Sequence, residues 1–223
     1  MGGNLKKKAL PVRRATTAKS ARVLIMRTCA EDGSSSHGFV WPLTVGAKVV
    51  APDWKPTKAC GNGLHGWLWG VGDSSLGNCA PMNKTLVVST DAADVIDLDG
   101  KVKFPRCVVE YIGDLASAAA YLLAHGAAGK PVIGGTATAG DSGTATAGNG
   151  GTATAGDRGT ATAGYRGTAT AGDSGVIALR YWNGIRYRAV IGTIGADGLK
   201  PNVAYRLDDQ GQFVLAAVTR GAR

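Results

Sequence analysis

Cysteine, histidine, phenylalanine and methionine are all scarce in this chain: four, three, three and three among 223 residues. Four scattered cysteines (Cys29, Cys60, Cys79 and Cys107) do not make a disulfide-dense mini-scaffold. No Cys-x-x-Cys pair and no second histidine at ligand spacing supports a zinc site, so no metal or other cofactor is expected. The absence of an 18-residue apolar run excludes a membrane-spanning helix. The start of the chain lacks the apolar stretch of a signal peptide. Acid is missing altogether from residues 1–22, which hold Lys6, Lys7, Lys8, Arg13, Arg14, Lys19 and Arg22. The remaining residues carry 18 bases against 16 acids, so most of the net charge of +9 belongs to that arm.

Glycine is what the chain has in excess, 34 residues against a usual share of about 7%. Thirteen of them fall within residues 134–175, and there they mark a repeat. Residues 135–174 are five octapeptides in strict phase: GTATAGDS, GTATAGNG, GTATAGDR, GTATAGYR and GTATAGDS. Thr-Ala-Thr-Ala alternates with period two, which puts threonines on one face and alanines on the other. The following Ala-Gly-x-x-Gly supplies a corner that tolerates positive φ. One octapeptide is one strand and one corner, so a closed coil needs two, or sixteen residues. Asp141, Asp157 and Asp173 recur at that interval, with Asn149 and Tyr165 in the alternate places.

These patterns predict a mainly β protein in four parts. A flexible basic arm covers 1–22. A small α+β domain covers 23–130, with strands at 23–28, 47–51, 85–90 and 107–112. One helix follows Asp114 as N-cap and stops at Gly126. Trp41, Trp54, Trp67 and Trp69 are expected to anchor that domain. A two-sided β-solenoid of 16-residue coils covers 131–175, and a C-terminal β cap or hairpin unit covers 176–223. Alanines such as Ala137, Ala139 and Ala145 are placed inside. The outward ladder is Thr136, Thr138, Thr144, Thr146, Thr152, Thr154, Thr160, Thr162, Thr168 and Thr170. A flexible Gly/Ala/Thr linker is the competing reading, and strict phase argues against it. Corner aspartates are expected to accept turn N–H bonds rather than to bind calcium.

Two resemblances follow from these motifs. The stretch from Thr162 through Gly164-Tyr165-Arg166 to Gly172 resembles the TAGYGS and TxTAG repeats of bacterial ice-nucleation proteins, which implies shared coil geometry rather than shared activity. Cys60-Gly61-Asn62-Gly63-Leu64-His65-Gly66, the octapeptides, Gly195–Pro201 and Tyr205-Arg206-Leu207 together resemble a phage and bacterial family. In that family a C-x-x-G-[LF]-H domain precedes octapeptide repeats and a short β unit. The resemblance implies the domain order and a phage or bacterial source, and assigns no catalytic residue.

The functional expectation is a non-enzymatic structural or interaction protein of a phage. Its solenoid would be a rigid spacer or a self-assembly surface, and its basic arm would bind an acidic partner, a virion protein or, nonspecifically, nucleic acid. The bacterial cytoplasm, or a phage particle assembled there, is the expected location. The alternative is an enzyme or small-ligand binder in residues 23–130, with Cys60, His65 and Arg27 around a pocket and Asp53 or Asp73 as orienting acid. An acidic run, Asp91, Asp94, Asp97 and Asp99, reads as a solvated strand edge.

Overall fold

The structure, a computed structural model, describes residues 21–80, 82–196 and 198–216. Alternating and β-branched runs form strands wherever one face can be buried. In the first half these are β1 (Arg22–Cys29), β2 (Lys48–Val50), β3 (Leu64–Leu68), β4 (Lys84–Asp91), β5 (Ile96–Asp97), β6 (Val102–Phe104) and β7 (Arg106–Gly113). They make one antiparallel sheet in the order β2-β7-β4-β1-β3-β6-β5. Along β1 the side chains divide by parity. Ile25 and Cys29 enter a cluster with Trp41, Leu86 and Phe104, whereas Met26 enters one with Trp67, Val87 and the helix.

That helix, α1 (Leu115–Leu122), starts where the sequence predicts. The Asp114 carboxylate accepts from the Ser117 N–H at 2.7 Å, which satisfies a free first-turn donor. The bond holds the carboxyl below its usual range. Ala118, Ala119 and Leu122 are buried against the sheet. A wide turn over Leu123–Ala127 ends the element, with Gly126 at φ 111°.

The octapeptides form β8 (Thr136–Ala139), β9 (Thr144–Thr146), β10 (Thr152–Ala155), β11 (Thr160–Tyr165) and β12 (Thr168–Thr170). Each strand pairs in parallel with the one sixteen residues away: Ala137 with Ala153 with Ala169, and Ala145 with Ala161. The result is a two-sided β-solenoid, as the alternation demands. Its interior is alanine; Ala153, Ala161, Ala163, Ala169 and Ala171 are fully buried. Residues read as the start of the C-terminal unit continue the coil. β13 (Val176–Trp182) lies in parallel register on β11, pairing Ala161 with Ile177 and Ala163 with Leu179. Antiparallel strands then close the stack: β14 (Tyr187–Thr193) on β13, and β15 (Tyr205–Leu207) with β16 (Phe213–Leu215) on β12. The alanine core widens here into Ile177, Leu179, Ile194, Leu199 and Tyr205.

The first sheet and the solenoid meet at Val132 and Ile133, both buried with α1. The Ile133 N–H donates to the Gly70 carbonyl, and Asn149 Nδ2 to Ser74 Oγ at 3.1 Å.

Candidate functional site

On the solenoid surface the threonines stand in register. One sheet carries Thr136, Thr152 and Thr168 in one ladder, and Thr138, Thr154 and Thr170 in a second. The other sheet carries the shorter pairs Thr144–Thr160 and Thr146–Thr162, after which Val176 and Ala178 take the places. These side chains are exposed in the first coil and become half-buried toward the last. Strand geometry spaces the hydroxyls roughly 4.8 Å along a ladder and ~6.7 Å between ladders.

The corners explain the remaining letters of the repeat. Asp141 Oδ1 accepts from the Asp157 N–H, Asp157 Oδ1 from the Asp173 N–H, and Asn149 Oδ1 from the Tyr165 N–H, at 2.8–3.0 Å. Each polar corner side chain therefore ties its coil to the next. The next coil must offer a glycine for the carboxylate or amide to lie against. A Cβ on Gly164 would stand 2.6 Å from the Asn149 backbone nitrogen and closer still to its Oδ1. The eighth position is left-handed at every corner, including Ser142, Arg158, Arg166 and Ser174 at φ 54–57°. Tyr165 lies beside Tyr187 with ring centroids 5.4 Å apart, and Arg166 sits over the Tyr165 ring.

Cys60, His65 and Arg27 fall on and around β3, inside the first sheet. Cys60 is exposed on the loop before β3, where Lys101 Nζ donates to its Sγ at 3.2 Å. That hydrogen bond draws the thiol below its ordinary pKa. The other three thiols are raised by burial, Cys107 to about 12. His65 is half-buried on β3, and its Nε2 is sealed without a hydrogen-bond partner. Burial, then the charges of Lys101, Arg27 and Lys103, depress its pKa to about 4. A ring that stays neutral amid three cations is no partner for a Cys–His nucleophile pair. Neither the cavity of about 610 Å³ beside Trp69 and Lys101 nor that of about 180 Å³ beside Arg27 is lined by Cys60 or His65. The expected orienting acids are otherwise engaged. Asp53 accepts from Asn62, and Asp73 caps Ser75. Among the described residues no three His, Cys, Asp or Glu side chains converge on a metal position.

Lys103 is the site residue that sequence reasoning missed. It is fully buried, and its ammonium donates to the Ala59 carbonyl at 2.9 Å, the Gly61 carbonyl at 3.3 Å and Thr57 Oγ1 at 3.4 Å. The Trp54 ring lies 5.7 Å from the same nitrogen. The glycine-rich Cys60 loop is thus wrapped around a lysine.

Of the basic arm, Lys6, Lys7, Lys8, Arg13, Arg14 and Lys19 lie outside the described residues. Arg22 does not belong with them. It is the first residue of β1, paired with Asp91, and its guanidinium donates to Ser89 and faces Glu110 at 4.0 Å. The acidic run is divided: Asp94 pairs with Arg106 at 2.9 Å, and Asp91 ends β4. Among the described residues no helix is long and apolar enough to cross a membrane.

Residues 23–121 match the family described as Domain of unknown function (DUF7666). The ice nucleation protein InaA of Pantoea ananas is 38% identical over 109 residues, 48% of this chain and 8% of that protein. InaU of the same organism is 37% identical over 109 residues, 48% of this chain and 10% of that protein. An ice nucleation protein of Pseudomonas syringae is 35% identical over 105 residues, 46% of this chain and 9% of that protein. The chain therefore spans at most about a tenth of these relatives. No solved structure matches. The chain is thus similar to the DUF7666 family over residues 23–121, and over about half its length it is similar to ice nucleation proteins.

Proposed function

We propose that this is a non-enzymatic structural protein of a phage particle or its bacterial host. Its solenoid acts as a rigid spacer and assembly surface, and its basic residues before β1 bind an acidic partner. One observation carries the reading. Every coil is tied to the next by parallel backbone pairing on both faces and by an Oδ1-to-N–H bond at the aspartate corner, with a second such bond at the Asn149 corner between the first two coils, which resists bending and shear. The C-terminal end of the stack is closed by antiparallel strands, whereas β8 and β9 are the outer strands of their sheets at the other end. Ala137 and Ala139 are only partly covered there, although their equivalents one coil on are buried. An outer strand with unpaired backbone groups is a template for another chain.

Light scattering across a concentration series tests this. Self-association is expected and should be lost in Ala137→Lys, which sets an inward charge on the outer coil. Salt-sensitive binding to a polyanion should disappear on removal of residues 1–20. A strict monomer that ignores polyanions overturns the proposal.

A second reading is ice binding by the threonine face. It is supported by the in-register ladders of hydroxyls and by the names of the similar proteins. Growth of an ice crystal in the presence of the protein tests it, with Thr152→Lys as the disrupting variant. Unchanged growth removes it.

A further inference from the structure

The first sheet holds a partly buried cation that forms no ion pair among the described residues. Arg27 sits on β1 with its guanidinium 5.6 Å from the Trp41 ring centroid. Among the described residues it makes one hydrogen bond, a long one of 3.3 Å from Nη1 to the His65 carbonyl, and its Nε has no partner there. Neither of the two ion pairs among the described residues involves Arg27. A guanidinium offers five N–H donors in a planar fork suited to oxyanions. Withdrawing part of such a charge from water without an anionic partner is unfavourable, and an oxyanion beside it would relieve that cost.

Arg27 borders a cavity of about 180 Å³ formed where β1 runs into the following serine loop and meets the loop before β4. Its walls include Thr28, Ser34, Ser36, Asn78 and Asn83. This lining is rich in hydroxyls and amides. Asn78 Oδ1 is held by the Ala80 N–H, and Asn83 Nδ2 donates to the Asn78 carbonyl, so the Asn78 side-chain amide keeps its own donors for a ligand. No acid lines the cavity; Asp32, two residues before Ser34, accepts from the Ser34 N–H at 2.9 Å, while Lys84 stands opposite Cys29 in the β1–β4 register. At ~30 Å³ per water, the cavity holds about six waters, room for one oxyanion but less than a drug-sized ligand needs.

We propose that this cavity is a phosphoryl-binding site, in which the Arg27 fork meets the oxyanion and Asn78 and the loop hydroxyls complete its shell. A tetrahedral anion suits donors that converge from two loops and a strand, where a flat carboxylate would use the fork alone. The site is independent of the solenoid and of any assembly it makes.

The test is titration of the full chain with inorganic phosphate against chloride at matched ionic strength, read as melting temperature and ³¹P line width. Phosphate is expected to raise the melting temperature by several degrees at concentrations well above its Kd. Arg27→Met should abolish the shift, and Arg27→Lys should weaken binding because an ammonium lacks the fork. Asn78 is exposed, so Asn78→Ala keeps the fold and should weaken binding roughly three- to tenfold, about one hydrogen bond to a charged group. Glycerol phosphate is the second ligand. Tighter binding than inorganic phosphate identifies a phosphomonoester as the occupant, and equal binding identifies the free ion. Identical melting in phosphate and chloride, or a phosphate shift that survives in Arg27→Met and in Asn78→Ala, overturns the proposal.

Discussion

The first sheet packs large, unlike side chains against each other: Trp41, Phe104, Ile25 and Leu86 on one face, Trp67, Met26 and Leu122 on the other. The solenoid packs one small side chain against copies of itself, with Ala153, Ala161 and Ala169 buried between its faces. Both are β, but they are specified by opposite means. In the sheet, order comes from shape: each large residue has one place. In the solenoid it comes from what is missing, because the corner glycines and interior alanines leave no room for anything else. The sheet can therefore host irregular polar groups such as Arg27 and Lys103, and the solenoid cannot.

The sharpest test of that contrast lies within the repeat itself. Gly164 and Gly140 occupy the same octapeptide position, but only Gly164 has a preceding coil beneath it; a Cβ on Gly140 would meet nothing within 4 Å. Gly164→Ala should cost about 3 kcal/mol or more through the clash with the Asn149 backbone, whereas Gly140→Ala should be within about 0.5 kcal/mol of wild type. Urea denaturation of both variants checks it. Equal effects would show that the coils are not stacked in this register.

A smaller effect is expected in the sheet. Lys103→Met removes the ammonium and leaves the Ala59 and Gly61 carbonyls without their donor, a loss of about 2 kcal/mol. Amide exchange over residues 57–63 should accelerate while the solenoid amides are unchanged. If solenoid protection fell equally, the two regions would unfold as one unit.

The smallest effect is a pH dependence confined to the sheet. The His65 pKa is about 4 in the fold against about 6.5 in an unfolded chain, so protonation favours unfolding. Its contribution to stability is complete above pH 6.5 and is lost as pH falls toward 4. Because the ring is only half-buried, the loss by pH 5 is about 1 kcal/mol. Melting curves between pH 7 and pH 4.5 should show it, and His65→Gln should flatten the slope.

Much of the fold was legible residue by residue. Thr-Ala-Thr-Ala in strict phase leads to a 16-residue coil because two strands are the fewest that close, and the Asp–Asn alternation marks which corners stack. Asp114 and Gly126 bracket the helix for local reasons of capping and positive φ. The candidate site was less legible. Cys60 and His65 stand out by residue type and glycine spacing, yet the thiol answers to Lys101 and the ring to burial. Arg22 reads as one more base in an acid-free run, although Glu110 and Ser89 claim it across two strands.

What the sequence determined alone is the local and the periodic: strand alternation, helix caps, the solenoid and its inward alanines. These depend on contacts within a few residues or at one repeating interval. Tertiary structure alone decided the fate of the cations. Lys103 follows Val102 and precedes Phe104 in a short strand, where its side chain would ordinarily reach water. The chain from Thr57 to Gly61 folds over it from more than forty residues away and supplies its acceptors. Arg27 is likewise enclosed by Trp41 and by loops that meet only once the sheet forms. Whether a charge is solvated, paired or left waiting for a ligand depends on what the rest of the chain brings within hydrogen-bond reach, which periodicity cannot encode.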